Sequence, residues 1–368
     1  MKTVFFGYPA RPDLLRETLN NAALAIDRDI PDVRCQTWES LKIGGKLVIS
    51  PILAAIDAAE VAIFEVTQLN ENVMFELGYA IGSRTKIWLL RDPSEKAAER
   101  DWKKMSTLAT VGFAPYANSE HIRVAYRKER PDEQKTSIFD EEIAPVLEPL
   151  STPALFYIQN LHDNEAARAL TRRVYDEEKQ GLRVITADPR ESAVMPLAWY
   201  GQQIYASSAV IAHFEAPTKS GAEIHNARCA LIAGLARGMG RPLLMLAQLQ
   251  YLAPIDYKDL LYIYGTAEYA VSYSDTWLTK NLASAYAEIK TGTLRASRLQ
   301  LSTELKSLRF GDHVAENEAD VLVEYFLETP AFDDVVAKRR QCSLGAKALE
   351  NRQTFFRPLR GYARTNGI

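Results

Sequence analysis

The sequence predicts an α/β protein with two tandem doubly wound parallel sheets and a helical C-terminal tail. Three observations lead there. Short apolar or β-branched runs alternate with stretches of helical period through the first 95 residues. The same order returns after a polar, proline-bearing stretch near the middle of the chain. The segment from Arg298 onward is charged and helix-rich, and it fits neither copy.

The elements follow in order. "TVFFGY" reads as a strand, and "RPDLLRETLNNAALAI" as an amphipathic helix with Leu15, Leu19 and Ala23 on one face. "VRCQTW" is a second strand. "GKLVISPILAAID" is a helix with Pro51 near its start or marking a kink. "EVAIFEV" suits a strand buried on both faces. The stretch 69–90, "LNENVMFELGYAIGSRTKIWLL", is a helix followed by the strand "KIWLL". "RKERPDEQKTS" and "EPLSTPA" then form a connecting helix and linker. After them "ALFYIQN", "LRVITA", "AVIAHFE" and "RPLLML" are strands. They are separated by the helices "NEAARALTRRVYDEE", "LAWYGQQIYASS" and "IHNARCALIAGLARGMG". The expected division is 1–130, a linker at 131–152, a second copy at 153–297 and a tail at 298–368.

The two copies match without gaps in two places. "EVAIFEV" lies over "AVIAHFE", and "YAIGSRTKIWLL" over "LARGMGRPLLML". A duplication with a period of roughly 150 residues accounts for this.

Bulk properties narrow the function. The 368 residues are 47% hydrophobic and 25% charged, with a net charge of −3. That balance offers no electrostatic footprint for nucleic acid or a membrane surface. Cys35, Cys229 and Cys342 lie far apart, so neither a disulfide framework nor a zinc spacing is present, and a reducing cytoplasm is expected. The start "MKTVFFGYPARPD" lacks a signal-peptide core, and no apolar run of about 18 residues occurs. Five scattered histidines form no metal-ligand pattern, and no cofactor is implied.

Doubly wound sheets bind ligands outside the carboxyl ends of their strands. In the first copy that edge receives Gly7, Tyr8 and Pro9, then Glu65 and Thr67, then the loop "QLNEN". Asn70 or Asn72 caps the following helix, whose free N–H groups suit a phosphate. Glu76 lies one turn further, the single carboxylate in an apolar stretch from Val73 to Gly82. Burying it alone would cost several kcal/mol. It therefore either opens onto the cleft or is a structural residue bonded to neighbouring backbone or to Arg84.

"AIDAAEVAIFEVTQLNENVMFELGYAIG", with "VFFGYP" and "WESLKIGGKLVISPI" before it, resembles the nucleoside 2-deoxyribosyltransferase-like group. That group borders the Toll/interleukin-1-receptor-like (TIR-like) nucleotide-binding domains of bacterial defence proteins. The likeness covers residues 3 to 92, with Asn-x-Asn-Val-x-x-Glu-Leu-Gly its most specific part. It implies two flavodoxin-like, TIR-like domains. It also implies that Glu76 attacks the anomeric carbon of a nucleoside, or stabilises the oxocarbenium ion as the N-glycosidic bond breaks. Glu65 would be the assisting acid, standing where aspartate is usual. The extra methylene moves its carboxylate by about 1 Å, which can lower activity about a hundredfold. Gly7, Tyr8, Pro9, Thr67, Asn70 and Asn72 would hold the ligand.

In the second copy Ile232 stands at the position of Glu76, and "HNARCAL" replaces the Asn-x-Asn-Val core. His225 and Asn226 there either cap the helix or bind a ligand. The copy is expected to bind or support rather than hydrolyse. The tail's "CSLGAK", ending at Lys347, reads like the approach to a phosphate-binding loop, but no complete Walker loop follows, so Lys347 is read as a surface lysine, with the start of a truncated P-loop NTPase as the alternative. The expected function is cleavage or transfer at the N-glycosidic bond of a nucleotide or NAD, in bacterial defence or signalling. The alternative is a non-catalytic nucleotide sensor that regulates a partner or an appended ATPase. A homo-oligomer or an effector protein is the expected partner.

Overall fold

The computed structural model describes residues 1–291, apart from positions 43, 45, 46, 109, 110, 150, 151, 193, 194, 253–256 and the side chains at 97 and 291. The expected tail, with Lys347, lies outside the described residues. The first half runs β1 (Lys2–Gly7), α1 (Asp13–Asp29), β2 (Val33–Thr37), α2 (Ile49–Asp57), β3 (Val61–Glu65) and α3 (Glu71–Gly82). It continues with β4 (Lys86–Arg91), α4 (Lys96–Lys104), β5 (Ala114–Pro115) and α5 (Ser119–Glu129). The second half runs β6 (Ala154–Ile158), α6 (Glu165–Tyr175), β7 (Arg183–Ala187), α7 (Pro189–Ser192), α8 (Leu197–Ala206) and β8 (Ser207–Phe214). It ends with α9 (Ala222–Gly238), β9 (Leu243–Gln248), β10 (Leu261–Tyr264), α10 (Ala267–Asn281) and α11 (Ala283–Thr291).

The strands form two five-stranded parallel sheets, ordered β2-β1-β3-β4-β5 and β7-β6-β8-β9-β10, with helices interleaved between the strands. This is a doubly wound α/β arrangement, and the strand order is the same in both sheets relative to the chain. The fifth strands were not expected. Ala114–Pro115 is too short to carry a period, and Leu261–Tyr264 lies in an aromatic stretch that reads as core and loop packing. Strand pairing also shifts the ungapped overlay of "EVAIFEV" by one residue. Glu65 is opposite Leu90, and His213 is opposite Leu246. Leu90 and Leu246 correspond in the other overlay, so His213 rather than Phe214 stands in the place of Glu65.

Alternation along the strands divides the core. Val4, Phe6, Val61 and Ile63 pack under α1 and α5. Phe5, Ala62 and Phe64 face the opposite way, into a core that also contains α3, α8, α9 and Phe156 of the second sheet. Leu155, Tyr157 and Ile211 pack under α6 and α10. The central core is thus common to both halves, and the described residues belong to one compact unit.

Helix α3 is apolar almost all round because it has two neighbours, its own sheet and α9. The contact with α9 is close enough to require glycine. A Cβ on Gly78 would lie 1.9 Å from the Leu231 carbonyl oxygen, and one on Gly234 would lie 2.0 Å from that of Phe75. One turn on, Gly82 meets Leu235 O and Gly238 meets Tyr79 O, each at 2.4 Å. The contacts advance together along both helices, so α3 and α9 run in the same direction. The turns after the two helices also match, with φ of 67° at Arg84 and 69° at Gly240.

Candidate functional site

The local sequence sets the entrance of α3. Asn70, with extended backbone, caps the helix by accepting from the backbone N–H of Asn72 at 3.1 Å and of Val73 at 3.3 Å. The Asn70 side chain is therefore committed to the helix. The side-chain oxygen of Asn72 is buried and accepts no hydrogen bond among the described residues. Glu71 turns towards the second half, where Tyr251 and Tyr257 donate to its Oε2. Burial pushes its carboxyl pKa up, against those hydrogen bonds.

Glu76 is 4% exposed and lies over the carboxyl end of β1. A Cβ on Gly7 would come within 2.6 Å of Glu76 Oε2 and 2.7 Å of the Phe64 ring. The carboxylate thus occupies the space that a side chain at position 7 would fill. Arg84 is engaged elsewhere, 3.8 Å from Asp140 and stacked over Phe139 at 4.8 Å. Gly7 and Glu76 meet where β1 and β3 adjoin, the point at which the crossovers of this strand order part to opposite faces.

Glu65 is fully buried, on the other face of the sheet from Glu76. It alternates with Val61 and Ile63, which face α1 and α5. Its Oε1 accepts from the Thr67 backbone N–H at 3.0 Å, from the Thr67 hydroxyl, and from Tyr116 Oη at 3.0 Å. The Thr67 hydroxyl in turn accepts from the Asp92 backbone N–H at 2.7 Å. Burial pushes the Glu65 carboxyl up to about 7, although these hydrogen bonds favour the charged form. Tyr8 also faces α1. It donates to Asn20 at 3.0 Å and to Glu39 at 3.3 Å, and its ring lies 6.1 Å from that of Trp38. Pro9 is buried beside it.

The structure therefore brings Gly7 and Glu76 together beneath the entrance of α3, with Asn70 and Asn72 one turn away. Glu65, Thr67 and Tyr116 form a separate cluster, and the Tyr8 hydroxyl is directed to α1. A carboxylate at a strand edge beside a helix N-terminus can stabilise a cationic centre while N–H groups hold an anion.

In the second half, Ile232 is fully buried where α3 carries Glu76. His213, in the place of Glu65, bonds Tyr157 Oη at 3.2 Å and Tyr264 Oη at 2.6 Å, and burial pushes its pKa down to about 3. His225 and Asn226 tie α9 to the end of β8. His225 Nε2 lies 3.0 Å from the His213 carbonyl oxygen, and Asn226 exchanges two bonds with the Glu215 backbone. Sequence reasoning missed Glu215, His162 and Asn160, which join this network. The available signal was Glu215 itself, an acid directly after a buried strand. Among the described residues, no cluster of His, Cys, Asp and Glu is arranged to hold a metal ion.

No family model and no curated protein matches this chain.

Proposed function

We propose that the first half cleaves or transfers at the N-glycosidic bond of a nucleotide, with NAD⁺ among the substrates to test, and that Glu76 is its catalytic residue. The observation that carries this reading is the placement of the Glu76 carboxylate against Gly7 at the strand edge, one turn into a capped helix. The strand order, with β1 beside both β2 and β3, is that of flavodoxin-like sheets and supports a TIR-like domain. In the reaction, the C1′–N bond breaks and its electron pair leaves with the base. Positive charge builds on the sugar, and Glu76 stabilises or traps it. Water or an acceptor hydroxyl then adds at C1′, and its proton goes to the departing base of a neutral nucleoside or, when nicotinamide leaves NAD⁺ as a neutral molecule, to solvent. Glu65 lies on the far face and takes no direct part.

The test is release of free base from NAD⁺ and from a panel of nucleosides and nucleotides. Glu76→Gln keeps the shape and removes the charge. It should lower base release at least about a thousandfold, a barrier increase of about 4 kcal/mol, while nucleotide affinity changes much less. Equal turnover by the variant would overturn the catalytic role. One observation favours a second reading, a nucleotide sensor without turnover: the would-be assisting acid Glu65 bonds to Thr67 and Tyr116 instead of approaching Glu76. Nucleotide binding with no base release by the wild type would establish that reading.

A further inference from the structure

The second half has a cleft of its own, about 460 Å³, formed by the β6–α6 turn, α6 and the residues that follow β7. It lies at the carboxyl edge of the sheet, where this architecture holds ligands, and its size suits a small organic molecule. The wall is cationic. Arg168 and Arg172 stand one turn apart on α6, and Arg190 faces the cleft from beyond β7. Arg168 pairs with Asp163 at 2.9 Å and Arg190 with Asp188 at 3.0 Å. The exposed Arg168–Asp163 pair is weak and exchanges readily for a better acceptor, whereas Asp188 holds Arg190 through two guanidinium bonds and its backbone N–H. Arg172 is exposed and makes no ion pair among the described residues. Three guanidinium groups thus stand beside the Asp163 and Asp188 carboxylates, with a third carboxylate, Glu215, behind His162.

Behind His162 and Asn160, which line the cleft, lies a fixed polar network. Glu215 is 1% exposed, and its Oε2 accepts from the His162 backbone N–H at 3.0 Å and lies 3.0 Å from His162 Nδ1. Its Oε1 accepts from the Ala216 backbone N–H at 2.9 Å. Asn226 holds the Glu215 backbone through two bonds, and Asn160 bonds both the Phe214 carbonyl and the His162 N–H. Desolvating a carboxylate is costly, and the core needs no charge here. What the network achieves is the placing of His162. With Nδ1 committed to Glu215, Nε2 is the ring nitrogen left to the cleft.

We infer that this cleft is a second ligand site, separate from Glu76, for a small phosphorylated molecule. Arg172, with Arg168 and Arg190, takes the phosphate, because guanidinium groups match its oxygens in bidentate geometry. His162, oriented by Glu215, meets the ligand through Nε2. The site stands independently of any N-glycosidase activity in the first half.

Calorimetric titration of the full chain tests it, with inorganic phosphate, ribose 5-phosphate and adenosine 5′-monophosphate as probes and ribose and adenosine as their unphosphorylated counterparts. At least one phosphorylated probe should bind, about tenfold or more tighter than its counterpart. Arg172→Glu should weaken that binding about tenfold or more, and His162→Gln should weaken it as well. Arg172 is exposed, so its variant keeps the test decisive even if His162→Gln fails to fold. The inference is overturned if no phosphorylated probe binds, if the counterparts bind equally well, or if Arg172→Glu binds like the wild type.

Discussion

Glu65 couples the fold to pH. Its carboxyl is raised from an ordinary 4.5 to about 7, chiefly by burial, with the nearby Asp92 carboxylate acting in the same direction. The unfolded chain therefore gives up this proton before the folded one does. The stabilising contribution is fully present below pH 4.5 and is lost as pH rises through about 7. The span corresponds to something on the order of 3 kcal/mol. Glu65→Gln cannot titrate, so its urea midpoint should gain on that of the wild type between pH 5 and pH 8. An unchanged difference between the two proteins would show that Glu65 does not titrate in this window. The site was partly legible in the sequence. A cap at Asn70 or Asn72, and Glu76 one turn into the helix that follows, can be read from spacing. That Glu65 and Glu76 lie on opposite faces does not, because strand alternation gives parity but not which helix covers which face.

At the scale of elements, the α3–α9 contact is the least tolerant feature of the fold. A methyl group on Gly78 or Gly234 would meet a backbone carbonyl oxygen at about 2 Å, and a backbone cannot swing aside as a side chain can. Gly78→Ala or Gly234→Ala should each destabilise by on the order of 3 kcal/mol or more, read from denaturant midpoints. A loss below about 1 kcal/mol would mean that the helices separate freely. Both glycine pairs are visible in the sequence as Gly-x-x-x-Gly. Their role is not, because a helix that is apolar all round does not say what covers its second face. The parallel sheets were legible from buried runs such as Val61–Glu65, whereas a two-residue strand such as β5 has no pattern to read.

For the whole molecule, the shared central core makes independent unfolding of the halves unfavourable. Removing the second half would strip α9 from the glycine face of α3 and Tyr257 from Phe75, exposing apolar surface to water. Urea unfolding should therefore show one transition, with tryptophan fluorescence and far-ultraviolet circular dichroism coinciding. Trp38, Trp88 and Trp102 report on the first half, and Trp199 and Trp277 on the second. Two resolved transitions would show that the halves unfold separately.

The reciprocal glycine contacts describe a local dyad running along α3 and α9. The carboxyl edges of both sheets consequently open at the same end of the molecule. In a true homodimer built on such an axis, every substitution would appear on both sides at once. Here the two sides are encoded separately, so one can keep an acid at Glu76 while the other fills the corresponding place with Ile232 and gathers a histidine and arginines at its own rim. A single chain that carries its own mate can thus present two unlike chemistries on one face, which a symmetric pair cannot do.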